Sequence, residues 1–195
     1  MHELTPIFLS ASVPDPGRHP RYFETADLVA IREAVRALAA FVLPRARLVW
    51  GGHPAITPII RAVAEAVDLD VQEHVVLYQS DFFRDVFPQD NDAFARIEVT
   101  ERRATRDESL RLMRDEMLGA YPFSTALFIG GMEGVEDEAE MFLGHHPHAA
   151  FVPVATTGAA ARILYDRHAT RLRLSDALAD QYAYGALFRD LVRVG

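Results

Sequence analysis

Hydrophobic positions along the chain switch repeatedly between two periods, and each switch marks a new element. Ile7-Phe8-Leu9-Ser10-Ala11-Ser12-Val13 is an apolar run that turns polar at its end, as a buried strand does. Pro14-Asp15-Pro16-Gly17 then signals a loop. From Glu24 to Leu43 the apolar residues Leu28, Ile31, Val35, Leu38, Ala39 and Val42 recur at helical spacing. Leu48-Val49-Trp50 predicts a strand, and Ile56 to Val67 a helix with Pro58 tolerated in its first turn. His74 to Gln79 predicts a third strand, Phe82 to Phe87 one or two helical turns, and Ile97 to Thr100 a short strand. Asp107 to Leu118 predicts a helix whose apolar face is Leu110, Met113, Met117 and Leu118. Thr125 to Ile129 reads as a strand and Glu133 to Leu143 as a helix with an acidic first turn, which complements the helix dipole. Ala149 to Val154 is the last strand. A helix through Ala159 to Tyr165 follows, and a final helical segment from Ser175 to Val192 breaks at Gly185.

This alternation implies an α/β fold, a Rossmann-like open parallel sheet with helices on both faces. With no internal repeat, linker or low-complexity tract, residues 1–195 are expected to form a single domain ending in a helical segment over about 171–195. Half the residues are hydrophobic and a quarter charged, an ordinary globular balance. The formal charge, 20 − 28 = −8, is a poor match to a polyanion and excludes general nucleic-acid binding. The absence of cysteine excludes disulfides and thiol catalysis. Met1-His2-Glu3 carries no basic region, and no apolar run nears the roughly 18 residues of a membrane span. A soluble cytoplasmic protein, not membrane-bound, is the expectation.

Candidate chemistry lies at three corners. Gly51-Gly52-His53-Pro54 and Gly130-Gly131-Met132-Glu133-Gly134 each end a strand in two glycines and open a helix. Glycine lets backbone amides approach a ligand closely, and a helix N-terminus adds unpaired donors. The alternative is a tight turn and nothing more; three glycines in five residues weigh against it at the second corner. His53 is either a ligand contact or a loop residue. Glu133, Glu136, Asp137 and Glu138 are either first-turn acids or groups that bind a ribose hydroxyl or transfer a proton. Ser10 and Ser12 alternate along the first strand, so one faces a phosphate or both cap the strand end. Thr156-Thr157-Gly158 forms the third corner, suited to an N-cap or an anion. His145, His146 and His148 share one loop, and their adjacent spacing favours a solvated loop over a metal site. No metal and no cofactor is expected. GxSxG, HExxH, GxGxxG and the Walker lysine loop are all missing.

Together, Phe8 to Pro14, Gly51 to Ile56, Gly130 to Glu138 and Pro153 to Gly158 resemble the SLOG superfamily, named in part for the "lonely guy" cytokinin-activating enzymes. The resemblance runs to about Tyr165 and is greatest to small sensor-like branches found beside Toll/interleukin-receptor-type effectors in bacterial defence systems. It implies a Rossmann-like domain that binds nucleotides or nucleotide-derived signals, with a possible effector as partner. Enzymatic members cleave the N-glycosidic bond of nucleoside monophosphates with a PGGxGTxxE stretch and an upstream arginine. Here Ile129 stands at the proline, one extra residue separates Gly131 from Gly134, and Val135 replaces the phosphate-binding threonine. Glu138 aligns with the catalytic glutamate, and Arg111 or Arg114 with the arginine. The expected function is therefore binding of a nucleotide-derived small molecule as a sensor, with phosphoribohydrolase activity as the alternative. Backbone donors at the diglycine corners would hold phosphates, with hydroxyls from Ser10, Thr156 and Thr157 beside them. Glu133 or Glu138 would recognise ribose. A homodimer or larger homo-oligomer is expected, because Ile56 to Val67 and Asp107 to Leu118 carry more apolar residues than one inward stripe uses, Leu112 among them.

Overall fold

Six parallel strands form the centre of the computed structural model, in the order β4-β3-β2-β1-β5-β6. The structure describes residues 4–67, 74–87, 89, 91, 94 and 96–194; Met1-His2-Glu3 lie outside them. The strands are β1 (Pro6–Ser12), β2 (Arg47–Trp50), β3 (Val75–Ser80), β4 (Ile97–Thr100), β5 (Thr125–Gly130) and β6 (Ala150–Val154). Among the described residues, eight α-helices accompany them: α1 (Pro20–Phe23), α2 (Leu28–Val42), α3 (Thr57–Ala66), α4 (Arg106–Gly119), α5 (Glu133–His145), α6 (Ala159–Leu172), α7 (Ala177–Asp180) and α8 (Tyr184–Leu191). Membership of a Rossmann-like α/β class follows from this arrangement directly. No helix among the described residues is long and apolar enough to cross a membrane.

Strand parity sorts the core into two layers, because successive side chains point to opposite faces. Ile7 and Leu9 pack with α2, α3 and α8 on one face. Phe8 packs with α4, α5 and α6 on the other, where Phe8 and Phe142 stack at 5.7 Å between centroids. Ser10 shares the parity of Phe8, so its side chain faces α5. Connections through α2 and α3 build the sheet outward in one direction, and those through α4 and α5 build it in the other. The direction reverses between β1 and β5, the place where doubly wound sheets open a crevice above the strand ends.

Several boundaries differ from the sequence expectation, each for a local reason. The first long helix starts at Leu28 rather than Glu24, because Asp27 caps it by accepting from Ala30 N at 2.9 Å. Ahead of it stands the short helix α1, begun by Pro20, which the periodicity did not signal. Thr105 and Glu108 form a reciprocal capping box that starts α4. Helix α6 continues past Tyr165 to Leu172. The break in the final segment lies between Asp180 and Tyr184, and Gly185 sits inside α8.

Candidate functional site

Above the carboxyl ends of β1 and β2, between α4, α5 and the β1–α2 connection, the chain encloses a cleft of about 1320 Å³. That is ample for a small molecule of nucleotide size. Ser10, Ser12, Gly51, Gly52, His53, Met132, Glu133, Gly134 and Glu138 line it, together with Arg111 and Arg114 from α4. The structure thus brings together residues separated by up to 128 positions.

The floor is a polar centre assembled from three elements. Ser10 Oγ donates to Glu138 Oε2 at 2.5 Å, and Arg114 Nε donates to Glu138 Oε1 at 3.3 Å. Arg114 Nη1 also donates to Asp137 Oδ2 at 3.0 Å. The Glu138 and Arg114 side chains are only 14% and 13% exposed. Burial pushes the Glu138 carboxyl up; the Arg114 guanidinium and the Ser10 hydroxyl oppose the shift. Arg114 lies so close to α5 that a Cβ on Gly134 would meet its Nη2 at 2.9 Å. Gly134 is therefore the seat on which Arg114 rests. Arg111, one turn earlier, is exposed at the mouth, and among the described residues it has no hydrogen bond or ion pair. The two candidate arginines are thus separated: Arg114 ties α4 to the acids of α5, while Arg111 stays available.

His53 does double duty at the first corner. Its carbonyl accepts from Ile56 N and Thr57 N at 2.9 Å each and from Thr57 Oγ1 at 2.9 Å, which starts α3. Its Nδ1 accepts from Ala55 N at 3.2 Å, which assigns the proton to Nε2. Burial pushes its pKa down, so the ring is a neutral donor.

The second corner is bonded inward. Gly130 N donates to Thr157 Oγ1 at 2.9 Å and Gly131 N to Ser12 O at 2.8 Å. These amides hold strands and corners together instead of facing the cleft; the helix-opening amides of Glu133 and Gly134 keep the role of unpaired donors. Val135 packs over Gly131, where a Cβ would meet Val135 Cγ2 at 2.3 Å. Thr156, Thr157 and Gly158 lie away from the cleft. Thr157 Oγ1 donates to Val154 O at 2.6 Å, Thr156 Oγ1 pairs with Tyr184 Oη at 3.0 Å, and the backbone at Gly158 is closed by Thr25, whose carbonyl oxygen a Cβ would meet at 1.8 Å. This third corner serves packing because its hydroxyls are already satisfied by the protein. In the histidine loop, His145 Nε2 pairs with Asp115 at 3.0 Å and His146 Nε2 with Leu118 O at 2.7 Å.

Sequence reasoning named the acids of one further wall, Glu133 and Glu136, but missed the arginines and the tyrosine that hold them. Glu136 Oε1 accepts from Arg21 at 3.0 Å and from Tyr22 Oη at 2.5 Å, and Glu136 Oε2 from Arg167 at 2.6 Å. Arg18 meets Glu133 at 3.0 Å, and Arg167 also meets Glu140 at 3.1 Å. Arg18 and Arg21 come from the β1–α2 connection, and Arg167 from α6. Only the clustering of Pro, Gly and Arg between residues 14 and 21 hinted that this connection has a task.

Searches of curated proteins and of solved structures found no match to the chain. A family model described as the SLOG cluster3 family matches residues 21–192, a span that includes every element from α2 onward and points to a nucleotide-related, Rossmann-like function. The chain belongs to the SLOG cluster3 family.

Proposed function

We propose that the cleft above β1 and β2, walled by the start of α5, binds a nucleotide or nucleotide-derived signal, and that the protein acts as a ligand sensor. The observation that carries this reading is the arrangement at the switch point: a buried acceptor, Glu138, at the floor and an unpaired cation, Arg111, at the mouth. A carboxylate suits a ribose hydroxyl, and a free guanidinium suits a phosphoryl group. The opening amides of α5 and the Nε2 proton of His53 add neutral donors. A nucleotide panel tested by thermal shift decides: wild type gains stability with a nucleotide, and Arg111→Ala loses about tenfold in affinity while its own melting temperature holds. A panel that leaves the melting temperature unmoved sinks the reading.

A second reading, N-glycosidic hydrolysis of a nucleoside monophosphate, is favoured by one feature, the burial that raises the Glu138 carboxyl toward a proton-donating range. Against it, Val135 offers no hydroxyl where the enzymatic pattern has its phosphate-binding threonine. Release of free base from adenosine monophosphate, abolished by Glu138→Gln, would establish it.

For assembly, a homodimer remains part of the proposal, with an effector as the possible downstream partner. Leu112 and Ile59 are half-buried on the monomer, so the surface on offer is modest. Light scattering at micromolar concentration reads it directly, against a monomer of 21.8 kDa.

A further inference from the structure

We propose that the turn Asp15–Arg18 is a latch on the cleft, and that Arg18 exchanges its partner Glu133 for an anionic group of the ligand. The inference rests on the nucleotide-binding reading above and adds to it how the protein registers its ligand.

The segment between β1 and α1 has two fixed ends. At one, Ser12 is the last residue of β1 and its carbonyl accepts from Gly131 N. At the other, Tyr22 is fully buried with its hydroxyl on Glu136, and Thr25 Oγ1 accepts from Ala159 N at 3.2 Å. Between them the turn holds itself together: Asp15 Oδ1 accepts from Gly17 N at 2.8 Å and Asp15 O from Arg18 N at 3.2 Å. Pro14 and Pro20 flank it and constrain the residues before them to extended backbone, so the turn moves as one piece.

Its ties to the body are slight. Arg18 Nη2 reaches Glu133 Oε1 at 3.0 Å with both side chains nearly half exposed, at 43% and 47%. Asp15 N meets Met132 Sδ at 3.5 Å, a weak acceptor. An exposed ion pair of this kind contributes at most about 1 kcal/mol. The neighbouring arginines differ. Arg21 and Arg167, about as exposed as Arg18, converge on Glu136, which is 12% exposed and also holds Tyr22, so each is tied to a shielded acid that a second group also holds. Among the described residues of this wall, Arg18 is the cation free to change partner.

Glu133 is built for the exchange as well. Its Oε1 takes Arg18, while its Oε2 is shielded and has no hydrogen-bond partner. A shielded carboxylate oxygen without a donor is costly. A ligand hydroxyl or amine supplies that donor, and a phosphoryl group nearby draws Arg18 away from Oε1. Both changes favour the same bound arrangement, with the turn drawn onto the ligand.

Limited trypsinolysis of the full chain tests this, with cleavage at Arg18–His19 measured against the exposed Arg173–Leu174 bond. Glu133→Gln is expected to raise that ratio about threefold, in keeping with the loss of one exposed ion pair; an unchanged ratio overturns the latch. Adenosine monophosphate, at a concentration that raises the melting temperature, is expected to lower the wild-type ratio at least threefold. If the melting temperature rises and the ratio stays put, ligand exchange at Arg18 is overturned. If the nucleotide shifts no melting temperature, the nucleotide reading is what fails, and the Glu133→Gln ratio still decides the latch.

Discussion

The two diglycine corners look alike in one dimension and work differently in three. At Gly51-Gly52 both glycines line the cleft; Gly51 is open, where a Cβ would meet only Met113 Cε at an ordinary 3.5 Å, whereas Gly52, with φ of 71°, is backed by Gln79 and Leu77. At Gly130-Gly131 the backbone closes on the protein. Both residues have positive φ, of 58° and 90°, and both amides are bonded to neighbouring segments. One corner is a candidate contact surface and the other is a joint. A glycine pair after a strand therefore reports that backbone must come close to something, and the partner is as readily the protein's own chain as a ligand.

The sharpest way to break this contrast is Gly131→Val. The branched side chain must adopt a φ of 90° with its Cβ against Val135, and strain and overpacking together cost about 3 kcal/mol or more. Chemical denaturation should show that loss; a variant as stable as wild type would mean the corner is not a joint. Next comes Thr157→Val, which keeps shape but removes the acceptor of Gly130 N. A buried amide left without a partner costs about 1–3 kcal/mol. Stability equal to wild type would show that the Gly130 amide is free for other use.

Smaller still is the pH response of the floor. The Glu138 carboxyl is raised in the folded protein, so folding favours its protonated form. Its stabilising contribution is full below the ordinary carboxyl range and is lost as pH rises through the raised value. The stability of wild type relative to Glu138→Gln should therefore decline as pH rises from acid toward neutral. A difference that is flat with pH, or that grows, would contradict the raised carboxyl. The smallest effect is expected at the open corner: Gly51→Ala should change stability by no more than about 0.5 kcal/mol, and a loss as large as that of Gly131→Val would erase the distinction between the corners.

Much of the frame was legible in the residue order. The strands expected over Ile7–Val13, Leu48–Trp50, His74–Gln79, Ile97–Thr100, Thr125–Ile129 and Ala149–Val154 match β1 to β6 to within one residue, because apolar runs bounded by turn residues are local signals. Ser10 and Ser12 stand two apart on β1 and share one face, so parity could not choose between them; the contact of Ser10 with Glu138 is a tertiary fact. The short helix α1 was missed, because four residues carry no period. Thr156 and Thr157 matched the composition of an anion corner, yet their hydroxyls are spent on Tyr184, Val154 and Gly130. The arginines of the β1–α2 connection escaped notice because isolated charges in a loop look like ordinary solvated surface.

By itself the sequence determined the succession of strands and helices, an open parallel sheet with helices on both faces and the glycine-bearing corners, since period, capping and backbone freedom act over a few residues. Only the tertiary structure decided which polar groups meet. Ser10 finds Glu138 across 128 positions, and Arg114 finds both Glu138 and a seat on Gly134. It also divided the described arginines that line the cleft into those tied to acids and Arg111, which is not. Hydrogen bonds and ion pairs act over a few ångströms, and nothing in a one-dimensional pattern states which distant residues the sheet brings within that reach.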